Sequence, residues 1–184
     1  MRSYLSHLEC TYCGEAYSAD ELHTTCPKCG KVLFARYDLK TARAQLNREA
    51  LARRRRGIWR WFEIMPVRDP ACVVTLGEGD TPLLPAGRLG EVLGSDKLWI
   101  KDEGLNPTGS FKARGLSAAV SKAKELGITS MAIPSAGNAA AALAAYGARR
   151  HADIPIHAAG CAGDDAQGEL PIWRACLPGA GLDQ

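Results

Sequence analysis

The sequence predicts an α/β protein, an N-terminal zinc ribbon followed by part of a parallel α/β domain. Three observations predict it. Two CxxC pairs stand near the N-terminus, β-type runs alternate with helical ones from Leu98 onward, and the composition is that of a folded chain, 46% hydrophobic and 23% charged over 184 residues. That balance excludes a disordered, collagen-like or disulfide-miniprotein chain. The net charge of +3 carries no nucleic-acid or anionic-membrane partner. There is no apolar run of about 18 residues to span a bilayer. Residues Met1 to His7 lack the apolar core of a signal peptide, so a reducing cytoplasm is the expected location. Seven cysteines in that compartment need an explanation other than disulfides.

Four of them supply one. Cys10 and Cys13 form one CxxC pair, Cys26 and Cys29 the other, with a 12-residue spacer between and a glycine (Gly14, Gly30) after each. A two-residue gap turns both thiolates to one side of a tight turn, the glycine supplies positive φ, and four sulfurs close a tetrahedral zinc site. Such a site has no open position and is structural. Cys72, Cys161 and Cys176 belong to no motif, and His23 is off the ligand spacing.

Residues 1–38 are read as the ribbon, with a strand at 32–38 leaving it. Leu39, Ala42, Leu46 and Ala50 recur at helical spacing, so one linker helix is expected from Leu39 to about Arg56, capped by Asp38. Arg53 to Arg56 at its end read as solvated cations favoured by the helix dipole. The segment 57–66 carries two of the four tryptophans and is expected to pack against a larger body; with the helix it makes up a linker region, 39–70. In 71–156, Leu98 to Lys101 and Thr129 to Pro134 read as strands. Phe111 to Leu126 reads as a helix with Leu116, Ala119, Val120 and Ala123 on one stripe, and Asn138 to Arg149 as an alanine-rich helix. This βαβα order implies parallel strands covered by helices.

Ligands bind beyond the carboxyl ends of the strands in such a sheet. Two polar loops lie there, Asn106 to Lys112 and Ser135 to Asn138. Both lead into helix N-termini, where free N–H groups favour a carboxylate or phosphate. Lys112 sits in the first turn of its helix, where the dipole disfavours a cation and a free amine can attack an aldehyde.

The stretches Gly77-Glu78-Gly79-Asp80-Thr81-Pro82-Leu83-Leu84, Lys101 to Gly115 (with Asn106-Pro107-Thr108-Gly109-Ser110-Phe111-Lys112) and Ser135-Ala136-Gly137-Asn138-Ala139-Ala140 resemble the threonine synthase family. These are fold-type II pyridoxal-phosphate enzymes, and the likeness runs over about residues 8–156, ribbon included. The resemblance implies pyridoxal 5'-phosphate held through the Lys112 amine, with Lys112 then moving protons. It implies cofactor binding by Asn138, Ser135 and Gly137, and a substrate carboxylate held by Ser135, Ala136 and Asn138. Residues 78–82 resemble a segment that packs near the site, with Thr81 at the substrate. Thr108 and Ser110 shape the lysine loop and cap its helix. The implied reaction converts O-phosphohomoserine and water to threonine and phosphate, a small-molecule partner, with a homodimer left open.

Members of the family are longer chains. Beyond Ile156 the sequence shows no sustained period, and residues 157–184 read as a loop-like tail, the expectation being a truncation or shifted reading frame. The glycine-rich loop for the cofactor phosphate and a partner for the pyridine nitrogen are not found. The lysine loop and Ser-x-Gly-Asn turn are shared with relatives such as cysteate synthase and the threonine/serine dehydratases, and a non-catalytic zinc-binding module is the third reading.

Overall fold

The computed structural model describes residues 1–135, 137–150 and 156–159. Strands β1 (Leu5–Cys10), β2 (Ala16–Ser18) and β3 (Leu33–Tyr37) form an antiparallel sheet in the order β2-β1-β3. Leu8 pairs with Tyr17 on one side and Ala35 on the other. This sheet is tied to the chain that follows by backbone bonds, Tyr4 N–H to the Glu63 carbonyl (2.9 Å) and Asp38 N–H to the Tyr4 carbonyl (2.9 Å).

The single linker helix is two helices, α1 (Leu39–Gln45) and α2 (Arg48–Arg53). Asp38 caps the first as expected, its Oδ1 accepting from Thr41 N–H at 2.9 Å. The break lies at Leu46 and Asn47, both extended. The Asn47 side chain accepts from Glu49 N–H at 2.8 Å and Ala50 N–H at 3.2 Å, so it starts a new helix instead of continuing the old one. The arginines after it are not uniformly solvated. Arg53 and Arg55 are exposed, but Arg54 grips the buried Glu63 with two 2.7 Å bonds. In the 3₁₀ segment Ile58–Ile64, Phe62 is buried against Trp59 while Trp61 stays open to solvent.

Strands β4 (Leu83–Pro85) and β5 (Trp99–Lys101) flank helix α3 (Gly87–Leu93) and pair antiparallel. This corrects the expected parallel sheet, in which β5 was to stand beside the next strand. The turn around α3 brings the chain straight back, with Ala86 N–H bonding the Leu98 carbonyl and Asp102 N–H the Pro82 carbonyl beyond the two ends of the ladder. Helix α4 (Lys112–Glu125), strand β6 (Met131–Pro134) and helix α5 (Asn138–Arg150) follow. The parallel pair is β6 with β7 (Ile156–Ala159), in register Met131 to Ile156, so α5 is the crossover. The predicted loop-like tail therefore starts with a strand. Four residues rich in alanine give too short a run to show a period, and pairing with β6 decides their conformation. Residues 160–184, including Cys161 and Cys176, lie outside the described residues.

The core sits where α4 and α5 meet. Val74, Ala113, Val120, Ala142, Leu143 and Tyr146 form the buried cluster, with Leu116, Met131 and Ile133 against it. The buried face of α4 is turned from the predicted stripe. Ala119 is exposed, and Ser117 and Ser121 take the inner positions, both 0% accessible. Among the described residues no helix is long and apolar enough to cross a membrane.

Candidate functional site

The four predicted cysteines converge. Their sulfurs lie within 4.8 Å of one another, with Cys10 to Cys29 at 3.4 Å, Cys13 to Cys26 at 3.6 Å and Cys13 to Cys29 at 3.7 Å. A tetrahedral ion with metal–sulfur bonds of about 2.3 Å sets its ligands about 3.8 Å apart, so the cluster can close on a metal with little adjustment. Gly14 and Gly30 both take positive φ (71° and 72°), as the two turns require. Tyr12 and Cys13 N–H groups point at the Cys10 sulfur at 3.4 and 3.5 Å, and the Tyr17 hydroxyl lies 3.2 Å from Cys26. Burial raises the Cys26 thiol, but the Tyr17 hydroxyl and nearby backbone N–H groups prevail and bring it to about 6. Cys29 receives an N–H from Lys31, yet burial and the neighbouring sulfurs push it up to about 12. The four sulfurs are packed against one another, and a bound cation would favour the thiolate at each of them. His23 stacks near Tyr17 and stands outside the set.

Lys112 is the first residue of the 14-residue α4, half-buried, its Nζ 4.5 Å from the centre of the exposed Phe111 ring. No side-chain oxygen among the described residues holds the amine. The helix begins one residue later than expected and has no side-chain cap, so the capping role expected of Ser110 is corrected. The Ser110 hydroxyl is buried without a hydrogen-bond partner, and so is that of Thr108. The second loop is a tight turn in which Gly137 N–H donates to Ser135 Oγ at 3.3 Å and Asn138 opens α5 with its side chain exposed. Ala136 lies outside the described residues.

Thr81, expected at the substrate, is held from behind by an acid. It is 7% exposed and donates to Glu103 Oε1 at 2.6 Å, so its hydroxyl is engaged within the protein. Glu103 also takes Arg114 in a two-pronged grip (2.6 and 2.7 Å) and the Asn106 amide at 3.0 Å, while Asn106 Oδ1 accepts from Gly79 N–H. The Arg114 guanidinium first, then the Thr81 hydroxyl, pull the Glu103 carboxyl down to about 2. This set binds residues 79–81 to the lysine loop and to α4.

The other acid is Glu78, 1% exposed. Oε1 lies 2.9 Å from Trp59 Nε1 and 2.6 Å from Ser117 Oγ; Oε2 lies 3.0 Å from Leu76 N and 2.7 Å from the Tyr146 hydroxyl. Thr75 Oγ1 approaches both oxygens, at 3.0 and 3.1 Å. Burial raises its carboxyl, yet the Ser117 and Tyr146 hydroxyls and the backbone N–H of Leu76 outweigh that and leave it below its ordinary value of 4.5. Tyr146 is correspondingly raised by burial and by this carboxylate. Neither acid was marked for a role by sequence. The signal was present in Ser117 and Ser121, polar residues spaced to lie on a core face. An open concavity of about 510 Å³ lies between β4, α3 and β5 and includes none of these groups.

Known proteins share much of this sequence. The family model described as "Pyridoxal-phosphate dependent enzyme" matches residues 74–162. The threonine synthase of Methanosarcina acetivorans is 44% identical over 175 residues, 95% of this chain and 41% of the relative. That of Methanocaldococcus jannaschii is 44% identical over 140 residues, 76% of this chain and 34% of the relative. That of Halalkalibacterium halodurans is 52% identical over 87 residues, 47% of this chain and 24% of the relative. The chain thus spans well under half the length of these relatives. The family match continues to residue 162, past the point near Ile156 where the pattern was expected to end.

Glu103 yields a prediction. Its carboxyl is depressed in the folded state, so its contribution is present above the ordinary value of 4.5 and is lost as pH falls toward about 2. Urea midpoints measured from pH 7 to pH 3 should show Arg114→Met destabilised most at neutral pH, with the gap narrowing below pH 4.5. A gap independent of pH would contradict the pairing.

Proposed function

Because the chain belongs to the pyridoxal-phosphate-dependent enzymes, in the branch of the threonine synthases, we propose that it forms the lysine-bearing part of an enzyme converting O-phosphohomoserine and water to threonine and phosphate. The observation that carries this reading is the pair of hydroxyls beside Lys112. Thr108 Oγ1 and Ser110 Oγ are buried without partners at the mouth of a long helix, and buried polar groups in native folds ordinarily have one. A polar group carrying an aldehyde and a phosphate suits that lining.

The residues present would make up the lysine side of a cofactor site. Lys112 would hold the cofactor, and Ser135, Gly137 and Asn138 lie on the loop opening α5. Pyridoxal phosphate, when bound, supplies an electron sink for carbanions at the substrate's carbons. The protein's own groups do the rest. Lys112 Nζ has no carboxylate partner among the described residues and would move protons at the reacting carbons. The N–H groups at the start of α5 and the exposed Asn138 side chain favour an anionic substrate carboxylate. Thr81, engaged by Glu103, supports the lysine loop. At the other end of the chain the four cysteines would hold one structural zinc, whose closed thiolate shell leaves no position for chemistry.

Two measurements follow. Mixing the full chain with pyridoxal phosphate and reducing with borohydride should attach one cofactor at Lys112, found by peptide mass spectrometry, with Lys112→Ala showing none. Attachment spread over surface lysines at equal yield in both proteins would overturn the reading. Metal analysis of the purified chain should find about one zinc, reduced to a trace by Cys26→Ser; a metal-free protein with an intact N-terminal sheet would rule the zinc out.

A further inference from the structure

Glu78 has no part in the chemistry above, yet it is the most heavily bonded side chain in the described residues that carries a charge out of water. A carboxylate this buried is costly unless every lone pair is met. Here the donors come from four places: Trp59 in the 3₁₀ segment, Thr75 and Leu76 just before it in the chain, Ser117 in α4 and Tyr146 in α5. The last two matter for the site. Ser117 is five residues beyond Lys112 on α4, about 7.5 Å along the axis, and Tyr146 is eight residues beyond Asn138 on α5, about 12 Å along it. One rigid carboxylate therefore joins the helix that begins at Lys112 to the helix that begins at Asn138. We propose that Glu78 is a positioning residue that sets the spacing of these two helix N-termini, and hence of the groups on either side of the cofactor. The inference rests on the proposed cofactor site.

The chemistry of the donors makes the demand specific for a carboxylate. Ser117, Thr75 and Tyr146 hydroxyls can rotate, but Trp59 Nε1–H and Leu76 N–H can only donate. The first faces Oε1 and the second Oε2. An amide in place of the carboxylate would set its NH₂ against one of these fixed N–H groups whichever way it turned. Glu78→Gln is thus a sharp perturbation in spite of its size. Tyr146→Phe is the milder one, since it removes only the α5 arm.

The test uses the full chain and compares Tyr146→Phe and Glu78→Gln with Val120→Ala, a core truncation that makes no bond to Glu78. The first measurement is amide hydrogen exchange without cofactor. The expected result is faster exchange in the first turns of both α4 and α5 in Tyr146→Phe and Glu78→Gln. Val120→Ala, compared at equal loss of thermal midpoint, should leave those turns at the parent rate. The second is affinity for pyridoxal phosphate, read from the visible absorbance that Lys112→Ala abolishes. Tyr146→Phe should weaken it by about tenfold or more, and Val120→Ala should keep the parent value. Exchange at the two helix starts that follows global stability alike in all three variants would overturn the proposal. So would parent affinity in Tyr146→Phe. A parent chain that takes up no cofactor would count against the proposed function alone, since the exchange comparison decides on Glu78 without it. Should Glu78→Gln fail to fold, Tyr146→Phe carries both readouts.

Discussion

An ionised carboxylate held away from water imposes the strongest single constraint on this fold. Glu78 can be buried only where several donors reach both oxygens, and that requirement recruits parts of the chain far apart in sequence. Trp59, Leu76, Ser117 and Tyr146 must all be in place together. The apolar cluster of Val74, Val120, Leu143 and Tyr146 packs around the same point, so the hydrophobic core and the polar network specify one arrangement of α4 against α5. Close packing of alanine and leucine would tolerate some sliding of the two helices, whereas a hydrogen-bonded carboxylate does not.

A second acid does the same work nearer the surface. Glu103 gathers Thr81, Asn106 and Arg114, binding residues 79–81 to the loop that precedes Lys112. Both acids are consumed by structure, and the contrast with the site is instructive. The Thr108 and Ser110 hydroxyls have no hydrogen-bond partner and Lys112 has no carboxylate partner among the described residues, although they stand at the start of a well-braced helix. Rigid support behind and unmet polarity in front is the arrangement a bound anion requires.

The sequence was legible where the signal is local. The four cysteines and their glycines follow from spacing alone, because each pair folds within a single turn. The strands at 99–101 and 131–134 and the helices α4 and α5 follow from short-range pattern and from the loops between them. Partnership was not legible. Nothing in Leu98 to Lys101 distinguishes a strand beside β6 from one beside β4, since pairing is decided by how α3 returns the chain. The break at Asn47 was hidden because an asparagine can sit inside a helical period or start a new one. The stripe of Leu116, Ala119, Val120 and Ala123 left Ser117 and Ser121 unmarked, though two serines turned toward the core were the trace of a buried acceptor. Lys112 could be singled out by resemblance, but the carboxylate that braces its helix could be found only in three dimensions.

The account stands on Glu78 remaining charged within the core, and that can be measured directly. A pH titration of the folded chain, following the Glu78 side-chain carboxyl carbon by NMR with Glu78→Gln used for assignment, reads its ionisation. The account predicts a midpoint below the ordinary 4.5, because fixed N–H donors and the two hydroxyls outweigh the effect of burial. A midpoint above that value would mean the buried group takes up a proton easily, which contradicts a network built around a carboxylate.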